Sequence, residues 1–313
     1  GGFADIYQGK HKLGRVCVKV IRVIERECQA QLLMAFAREV ILWAHMSHEN
    51  VLPFYGVYAF TASTQKICLV SPLMDNGSLR EYLKKNPATP RLPLVQDVVN
   101  GLLYLHQSKI VHGDLKAVNV VVSDDGRALI TDFGLSYIAM TTLMDSTKAN
   151  TAHTLNWTAP ELICDETPTR PTKASDIWSF GCLCYEVFTG LFPYYQYKSS
   201  GQVVLALTRG QPPKRPPLED LACDQLDDRI WELLVEACWR IEPQDRYECE
   251  ALRDALIGNG VRQRRSKVGQ WEGQKSAFWA DMRSRSESRI DNGRVKSILN
   301  QVSPWCKSDR VPR

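Results

Sequence analysis

In the stretch Val111-His112-Gly113-Asp114-Leu115-Lys116-Ala117-Val118-Asn119, an acidic, a basic and an amide side chain stand close together along the chain. Two shorter motifs follow it, Thr131-Asp132-Phe133-Gly134 and Ala159-Pro160-Glu161. Each motif alone recurs by chance in unrelated sequences. Together they bring a candidate base, two candidate metal ligands and a candidate structural anchor into one short region of the chain.

The three motifs resemble the catalytic loop, the metal-binding loop and the end of the activation segment of eukaryotic protein kinases. The resemblance extends over about residues 1–257 and is most specific over residues 111–181. It implies a bilobal α+β fold, with a small antiparallel β lobe plus one helix over residues 1–74. A larger, mainly α-helical lobe is expected over residues 75–258. Within the family, the chain resembles the tyrosine-kinase-like branch of serine/threonine kinases.

The resemblance implies ATP and Mg²⁺ as cofactors and gives roles to four polar residues. Asp114 is the expected catalytic base, and Lys116 is expected beside the transferring phosphate. Asn119 is expected to hold one Mg²⁺, and Asp132 a Mg²⁺ that bridges the β- and γ-phosphates. The alternative is that these aspartates and the asparagine only cap turns. Under that alternative, it would be a coincidence that the spacing of these residues matches the rest of the family pattern.

The start of the chain, Gly1-Gly2-Phe3-Ala4-Asp5-Ile6-Tyr7, resembles the later part of a kinase glycine-rich loop. In that loop, backbone N–H groups approach the ATP phosphates. The resemblance assigns four of these residues to nucleotide binding: Gly1, Gly2, Ala4 and Ile6. The first glycine of such a loop would precede residue 1, and an alanine replaces the third.

The pattern predicts two strands, at residues 3–7 and 16–20, joined by a turn over residues 9–14. Apolar residues at helical spacing predict an amphipathic helix over residues 32–43.

Val16-Cys17-Val18-Lys19 resembles the kinase strand whose lysine neutralises ATP phosphates, and the resemblance assigns three residues here to the nucleotide site: Cys17, Lys19 and Glu39. Two solvent-facing charges are the alternative for the lysine and the glutamate. An unpaired ammonium in a buried strand is costly, which favours an ion pair between them.

A further strand is predicted over residues 66–70, and a buried helix that leads to the catalytic loop over residues 94–107. The resemblance places four residues around adenine: Ser71, Pro72, Met74 and Val121. Ser71 is the expected gatekeeper, and Pro72 to Met74 form the expected hinge. Since proline lacks an N–H, Pro72 is expected to offer only its carbonyl, and Met74 the N–H.

Other positions match structural residues of the family. Asp176, in a buried helix over residues 175–181, is expected to hold the backbone of the catalytic loop. Arg246 is expected to pair with Glu161, and Thr154 to lie against the catalytic aspartate.

Two residues depart from the family pattern. Gly113 stands where most kinases carry an arginine that pairs with an activation-loop phosphate, so we expect weak dependence on phosphorylation of that loop. His153 replaces a glycine next to Thr154.

Composition limits the classes of protein. The 313 residues are 44% hydrophobic and 24% charged, as in soluble globular proteins. No apolar stretch is long enough to cross a bilayer, and no nucleic-acid partner is expected. The ten cysteines include no C-x-x-C pair, so we expect reduced, partly buried thiols and a cytoplasmic protein.

Residues 259–313 differ from the rest, because they carry 13 Lys and Arg against 5 Asp and Glu with few apolar residues. This composition predicts a mostly disordered basic tail. Arg262-Gln263-Arg264-Arg265 leaves two alternatives to a plain solvated tail, a nuclear signal and a patch for an acidic partner.

Two functions remain open from the sequence. The first is a protein kinase that phosphorylates protein substrates on Ser/Thr: Lys116 after Asp114-Leu115 resembles serine/threonine enzymes. Trp157-Thr158-Ala159-Pro160-Glu161 also occurs in tyrosine kinases and keeps Tyr as an alternative acceptor. The second is a pseudokinase, a nucleotide-binding or scaffolding module without turnover. The shortened glycine loop favours it, as do Ala4, Gly113 and His153.

Overall fold

The computed structural model describes residues 4–11, 14–21, 43–60, 66–133, 154–164, 170–217 and 225–258. These residues form two compact units. One contains the described residues up to 47 together with residues 53–73, and the other contains residues 48–52 and 74–258. Apart from Trp43, the helix predicted over residues 32–43 lies outside the described residues, and so does the tail over residues 259–313.

The first unit is built on one antiparallel sheet. Its strands are β1 (Ala4–His11), β2 (Gly14–Ile21), β3 (Gly56–Phe60) and β4 (Lys66–Pro72), in the order β1-β2-β4-β3. β-branched residues dominate β2, and such side chains fit a pleated surface. Val16 and Val70 pack with Tyr55 on one face of the sheet and form a small buried core.

The predicted strands are present in the sheet and are longer than expected. β1 continues to His11 and β2 begins at Gly14, so the connection between the strands lies within the predicted range 9–14 and is shorter than predicted. The reason is that regular cross-strand pairing continues as far as His11 opposite Gly14. Gly14 has a φ of 129°, which glycine adopts readily because it has no Cβ. β4 extends the strand predicted over residues 66–70 to Pro72.

The second unit is mainly helical. Its helices are α1 (Leu79–Lys85), α2 (Arg91–Gln107), α3 (Glu161–Cys164), α4 (Lys173–Thr189), α5 (Ser200–Thr208), α6 (Asp228–Leu233) and α7 (Cys249–Ile257). One two-stranded antiparallel sheet accompanies them, formed by β5 (Val120–Val122) and β6 (Ala128–Ile130). A β unit and a mainly helical unit confirm the predicted α+β class.

Helix α4 forms the core of the second unit. Its first turn is closed by a capping box, in which Thr172 and Ser175 each accept a backbone N–H from the other. Gly190, with a φ of 74°, ends the helix. All residues from 175 to 189 are buried, as expected for a helix whose apolar residues lie on every side. The helix predicted over residues 175–181 is therefore confirmed, and it extends further in both directions.

Helix α2 confirms the helix predicted over residues 94–107 and begins three residues earlier. The segment 48–52 lies against it and against β6. Ile130 donates its N–H to the carbonyl of Asn50, and Leu52 donates its N–H to the carbonyl of Ile130, both at 2.9 Å. A Cβ at Gly101 would lie 2.5 Å from the carbonyl oxygen of Asn50, so this close approach requires glycine.

Six cysteines of the described chain are free thiols: Cys17, Cys68, Cys182, Cys184, Cys238 and Cys249. All except Cys17 are buried, in agreement with the prediction of reduced, partly buried thiols. Burial raises the pKa of the Cys249 thiol to about 12. Among the described residues, no helix has both the length and the apolar character needed to span a membrane.

Candidate active site

Four residues assigned to the nucleotide site share one face of the first unit's sheet. Lys19 lies opposite Ile6 of β1, and Cys17 lies opposite Ser71 of β4. Directly paired residues, and residues two apart on one strand, point to the same face of a sheet. Val16 points to the other face, into the small core. The sheet therefore carries one apolar face and one face on which the predicted phosphate-binding lysine stands.

The surroundings of Lys19 differ from the prediction in one respect. The sequence predicted a buried strand, but Lys19 and the valines on either side of it are only partly buried. The side chains of a sheet face reach full burial only where another element covers them. Glu39, Gly1 and Gly2 lie outside the described residues, so the ion pair between Lys19 and Glu39 stays a prediction. Ala4 begins β1.

Three of the residues predicted around adenine lie at or just beyond the end of β4, and the fourth lies in β5. Ser71 is 5% exposed, and Pro72 is the last residue of β4. Met74 belongs to the second unit, where its carbonyl accepts the N–H of Gly77 at 3.0 Å. Val121 is the central residue of β5. Their role in binding adenine stays a prediction.

The structure brings the predicted catalytic residues together. Oδ2 of Asp114 accepts a hydrogen bond from Nδ2 of Asn119 at 2.8 Å and forms an ion pair with Nζ of Lys116 at 2.9 Å. Lys116 also donates to the hydroxyl of Thr154 at 3.0 Å, so Thr154 lies in this cluster as predicted. The other carboxylate oxygen of Asp114, Oδ1, is buried and has no hydrogen-bond partner among the described residues. Asp114 is thus held in place by one oxygen and keeps an acceptor for a hydroxyl group.

Asp176 holds the backbone of this loop, which confirms the prediction. Its Oδ2 accepts the N–H of His112 at 2.8 Å, and its Oδ1 accepts the N–H of Gly113 at 2.7 Å. Its Oδ2 also lies 2.8 Å from Nε2 of His106, which α2 contributes. Gly113 has a φ of 77°, a left-handed conformation that costs other residues roughly 1–2 kcal/mol. The glycine that departs from the family pattern therefore fits its backbone.

His112 connects the two loops that carry the candidate site. Its Nδ1 accepts the N–H of Asp114 at 3.2 Å, and its Nε2 lies 3.1 Å from the carbonyl oxygen of Thr131. Burial lowers the pKa of His112, although Asp176 and Asp114 oppose this shift. A neutral ring that accepts at Nδ1 and donates at Nε2 satisfies both contacts. Asp132, which follows Thr131 in the sequence, has a φ of 59°, which is uncommon outside glycine.

The two predicted metal ligands offer oxygen atoms. Asn119 uses its amide nitrogen to donate to the carbonyl and the carboxylate of Asp114, which leaves its Oδ1 as an oxygen ligand. Asp132 contributes a carboxylate. Among the described residues, no group of three or more His, Cys, Asp and Glu side chains is arranged to hold a metal. Mg²⁺ in phosphate sites typically takes only one or two carboxylates and completes its shell with phosphates and water, so this set fits Mg²⁺.

The predicted pair of Arg246 and Glu161 is confirmed as a bidentate ion pair. Nη1 and Nη2 of Arg246 donate to the two carboxylate oxygens of Glu161 at 2.7 and 2.8 Å. The guanidinium is fully buried and also donates to the carbonyls of Ala174, Arg240 and Ile241. Parallel N–H···O bonds of this kind fix geometry strongly, so the end of the activation segment is anchored to the helical unit.

The sequence reasoning missed Glu186, a buried carboxylate of α4 that bonds to the backbone of the catalytic loop. An acidic residue inside the apolar helical stretch 177–188 was the one available signal, since a buried charge requires partners. It also missed His106, whose position in α2 gave no indication of a shared contact with Asp176.

A family model described as protein tyrosine and serine/threonine kinase matches residues 1–256. The chain belongs to this protein kinase family. Serine/threonine-protein kinase STY46 of Arabidopsis thaliana is 29% identical over 236 residues, which are 74% of the chain and 39% of STY46. Serine/threonine/tyrosine-protein kinase HT1 of the same plant is 31% identical over 253 residues, 79% of the chain and 60% of HT1. These relatives confirm the predicted tyrosine-kinase-like serine/threonine branch.

A third relative, guanylate cyclase 2G of Rattus norvegicus, is 27% identical over 318 aligned positions, 96% of the chain and 28% of the cyclase. Its name does not describe a kinase, so likeness to this domain extends to proteins named for another activity. The chain spans between just over a quarter and three fifths of the length of the relatives named here.

Proposed function

We propose that this kinase domain transfers the γ-phosphate of ATP to serine or threonine hydroxyls of protein substrates. One observation carries the proposal: the carboxylate of Asp114 is fixed through Oδ2 by Lys116 and Asn119, while its buried Oδ1 has no partner among the described residues. An unsatisfied buried acceptor costs roughly 1–3 kcal/mol, and a substrate hydroxyl would satisfy it. Such a hydroxyl would stand within reach of a proton acceptor.

The other residues of the cluster have distinct tasks in this proposal. Lys116 would place its positive charge beside the transferring phosphate, and its contacts with Asp114 and Thr154 fix the position of that charge. Asn119 and Asp132 would hold Mg²⁺ through oxygen atoms, and Lys19 would contact the α- and β-phosphates of ATP. When bound, Mg²⁺ supplies neutralisation of phosphate charge. Asp114 takes the proton of the hydroxyl.

Serine and threonine are the proposed acceptors because Lys116 and Thr154 are in contact beside Asp114. The names of the relatives support this choice, since STY46 is named a serine/threonine kinase. HT1 is named for serine, threonine and tyrosine, so tyrosine remains an outcome to test. Phosphoamino acid analysis of a labelled generic substrate separates the three acceptors.

The pseudokinase alternative is not favoured. The family match covers residues 1–256, and the relatives STY46 and HT1 are named as kinases.

We further infer a cytoplasmic location, as the sequence predicts. An acidic partner for the tail over residues 259–313 stays a prediction, since the tail lies outside the described residues.

Transfer of labelled γ-phosphate to a generic protein substrate tests the proposed function, with Asp114→Asn as the inactive variant. Asp124→Asn is a matched control, because Asp124 is exposed and has no role in the site. We expect turnover by the parent and by Asp124→Asn, and a loss of at least roughly a hundredfold in Asp114→Asn. Absence of turnover in the parent, or equal turnover in all three proteins, would contradict the proposal.

A further inference from the structure

Glu186 is a buried carboxylate near the end of helix α4, and its side chain is 4% exposed. It accepts four hydrogen bonds from three separate parts of the chain. Oε2 accepts the backbone N–H of Ala117 at 3.1 Å and the indole N–H of Trp157 at 3.0 Å. Oε1 accepts Nε of Arg80 at 2.6 Å and also its Nη2. An ionised carboxylate is tolerated in a protein interior only with partners of this kind.

Two of these donors lead directly to the cluster around Asp114. Ala117 follows Lys116, so Glu186 holds the peptide group that links these two residues. The backbone N–H of Trp157 donates to the carbonyl of Thr154 at 3.0 Å, so Glu186 also holds the turn that presents Thr154. Lys116 in turn bridges Oδ2 of Asp114 and the hydroxyl of Thr154. One carboxylate therefore fixes both chain segments that Lys116 connects.

Arg80 compensates the charge of Glu186 and packs on the aromatic rings beside it. Its guanidinium lies 4.1 Å from the ring centre of Phe192 and 5.7 Å from that of Trp157. The rings of Trp157 and Phe192 meet edge to face at 5.5 Å. Burial raises the pKa of Glu186, while Arg80 and the N–H donors of Ala117 and Trp157 lower it. The indole is thus held by its N–H and by its ring.

We propose that Glu186 is a positioning residue for phosphate transfer, which sets the place of Lys116 relative to Thr154 by holding Ala117 and Trp157. This inference rests on the proposed kinase activity. Small displacements of a charged group beside the reacting atoms reduce rates strongly, by roughly a hundredfold for about 1 Å. A glutamine at this position keeps the shape but presents an NH₂ group to donors that require an acceptor.

Asp97 provides a matched comparison for a purely structural role. It is a buried carboxylate of α2 that accepts Nε and Nη2 of Arg127 at 2.9 and 2.7 Å and the N–H of Ala128 at 3.0 Å. It therefore holds a guanidinium and a backbone N–H, as Glu186 does, but its partners hold neither Lys116 nor Thr154. Asp97→Asn and Glu186→Gln remove similar bonds from two buried sites.

The experiment compares kcat, KM for ATP and the midpoint of thermal unfolding for the parent, Glu186→Gln, Glu186→Asp, Asp97→Asn and Trp157→Phe. We expect both amide variants to lower the unfolding midpoint. Only Glu186→Gln should lower kcat, by roughly tenfold or more, with KM for ATP within about twofold of the parent. Trp157→Phe removes the indole N–H from the carboxylate and part of the ring that packs on Phe192, but it leaves the bonds from Ala117 and Arg80, so it should lower kcat by a smaller factor. Adding Glu186→Gln to it should give less than the product of the two losses.

Hydrogen exchange keeps the test independent of turnover. Amides of residues 114–119 and 154–158 should exchange faster in Glu186→Gln than in the parent, and at parental rates in Asp97→Asn. If the parent transfers no phosphate, the proposed function fails, and the exchange experiment alone decides whether Glu186 positions these segments. If Glu186→Gln does not fold, Glu186→Asp and Trp157→Phe decide. Two results would overturn the inference. One is an equal loss of kcat in Asp97→Asn and in the Glu186 or Trp157 variants. The other is that the Glu186 and Trp157 variants keep the parental kcat and the parental exchange rates.

Discussion

The ammonium group of Lys116 lies 3.0 Å from the hydroxyl of Thr154, a residue that stands 38 positions further along the chain. The same ammonium group lies 2.9 Å from Oδ2 of Asp114. The contact therefore joins the end of the activation segment to the candidate base. A hydrogen bond to a charged group contributes roughly 1.5–3 kcal/mol, which is enough to fix the position of a lysine side chain.

Thr154→Val should lower kcat by roughly tenfold, because Lys116 loses the acceptor that holds it beside Asp114. Thr154→Ser, which keeps a hydroxyl, should retain most of the activity. Steady-state kinetics at saturating ATP measures both variants. Equal activity of the valine and serine variants would show that the contact has no part in turnover.

Lys19→Met and Asp132→Asn should each weaken the binding of Mg-ATP by roughly tenfold or more. Lys19→Met removes a positive charge that would neutralise the phosphates, and Asp132→Asn removes a carboxylate that would hold Mg²⁺. Isothermal titration calorimetry with and without Mg²⁺ gives the affinities. Lys10→Met is a control, because Lys10 lies on the neighbouring strand and is exposed. If both site variants bind Mg-ATP as the parent does, the assignment of these residues is wrong.

Dephosphorylation should leave most of the activity, because Gly113 has no side chain that could pair with an activation-loop phosphate. Activity is measured before and after phosphatase treatment, and mass spectrometry verifies that the phosphate has been removed. A collapse of turnover would contradict this prediction. In that case Lys148→Ala tests whether Lys148 serves as the basic partner in place of the missing arginine.

The free energy of unfolding should fall as the pH drops below about 6.5, in part because of His48. Burial lowers the pKa of His48, while Glu49 raises it, and its Nδ1 accepts the N–H of Asn50 at 3.1 Å. The ring also stacks on Tyr104 at 4.7 Å. Since the folded-state pKa lies below the unfolded one, the unfolded chain takes up the proton first. Stability is therefore fully present above pH 6.5 and is lost toward the folded-state pKa.

His48→Asn keeps an acceptor for the Asn50 N–H and removes the titrating ring. Its unfolding free energy should depend less steeply on pH between 6.5 and 5 than that of the parent. The difference in slope is limited to one proton, about 1.4 kcal/mol per pH unit. Chemical denaturation at a series of pH values measures both slopes, and parallel curves would rule out this role of His48.

Local pattern was enough to predict the elements on which the candidate site stands. Short runs rich in apolar and β-branched residues predicted the strands around Lys19 and before Ser71, and apolar residues at helical spacing predicted the helix before the catalytic loop. All three elements are present. The ends of these elements were predicted less well. β1 and β2 extend into the range predicted as a turn, because the pairing of the two backbones decides where a hairpin turns, and that pairing depends on both strands at once.

The sequence by itself determined the candidate residues for the chemistry, because the order of Asp114, Lys116, Asn119 and Asp132 resembles one family. The tertiary structure decided which residues hold them. Glu186 bonds to Ala117, which lies 69 positions away along the chain. Asp176 contacts His106, 70 positions away, in addition to the catalytic loop that it was predicted to hold. No short-range spacing encodes such contacts, since they arise only when a buried carboxylate on the core helix must find donors from whichever segments pack against it.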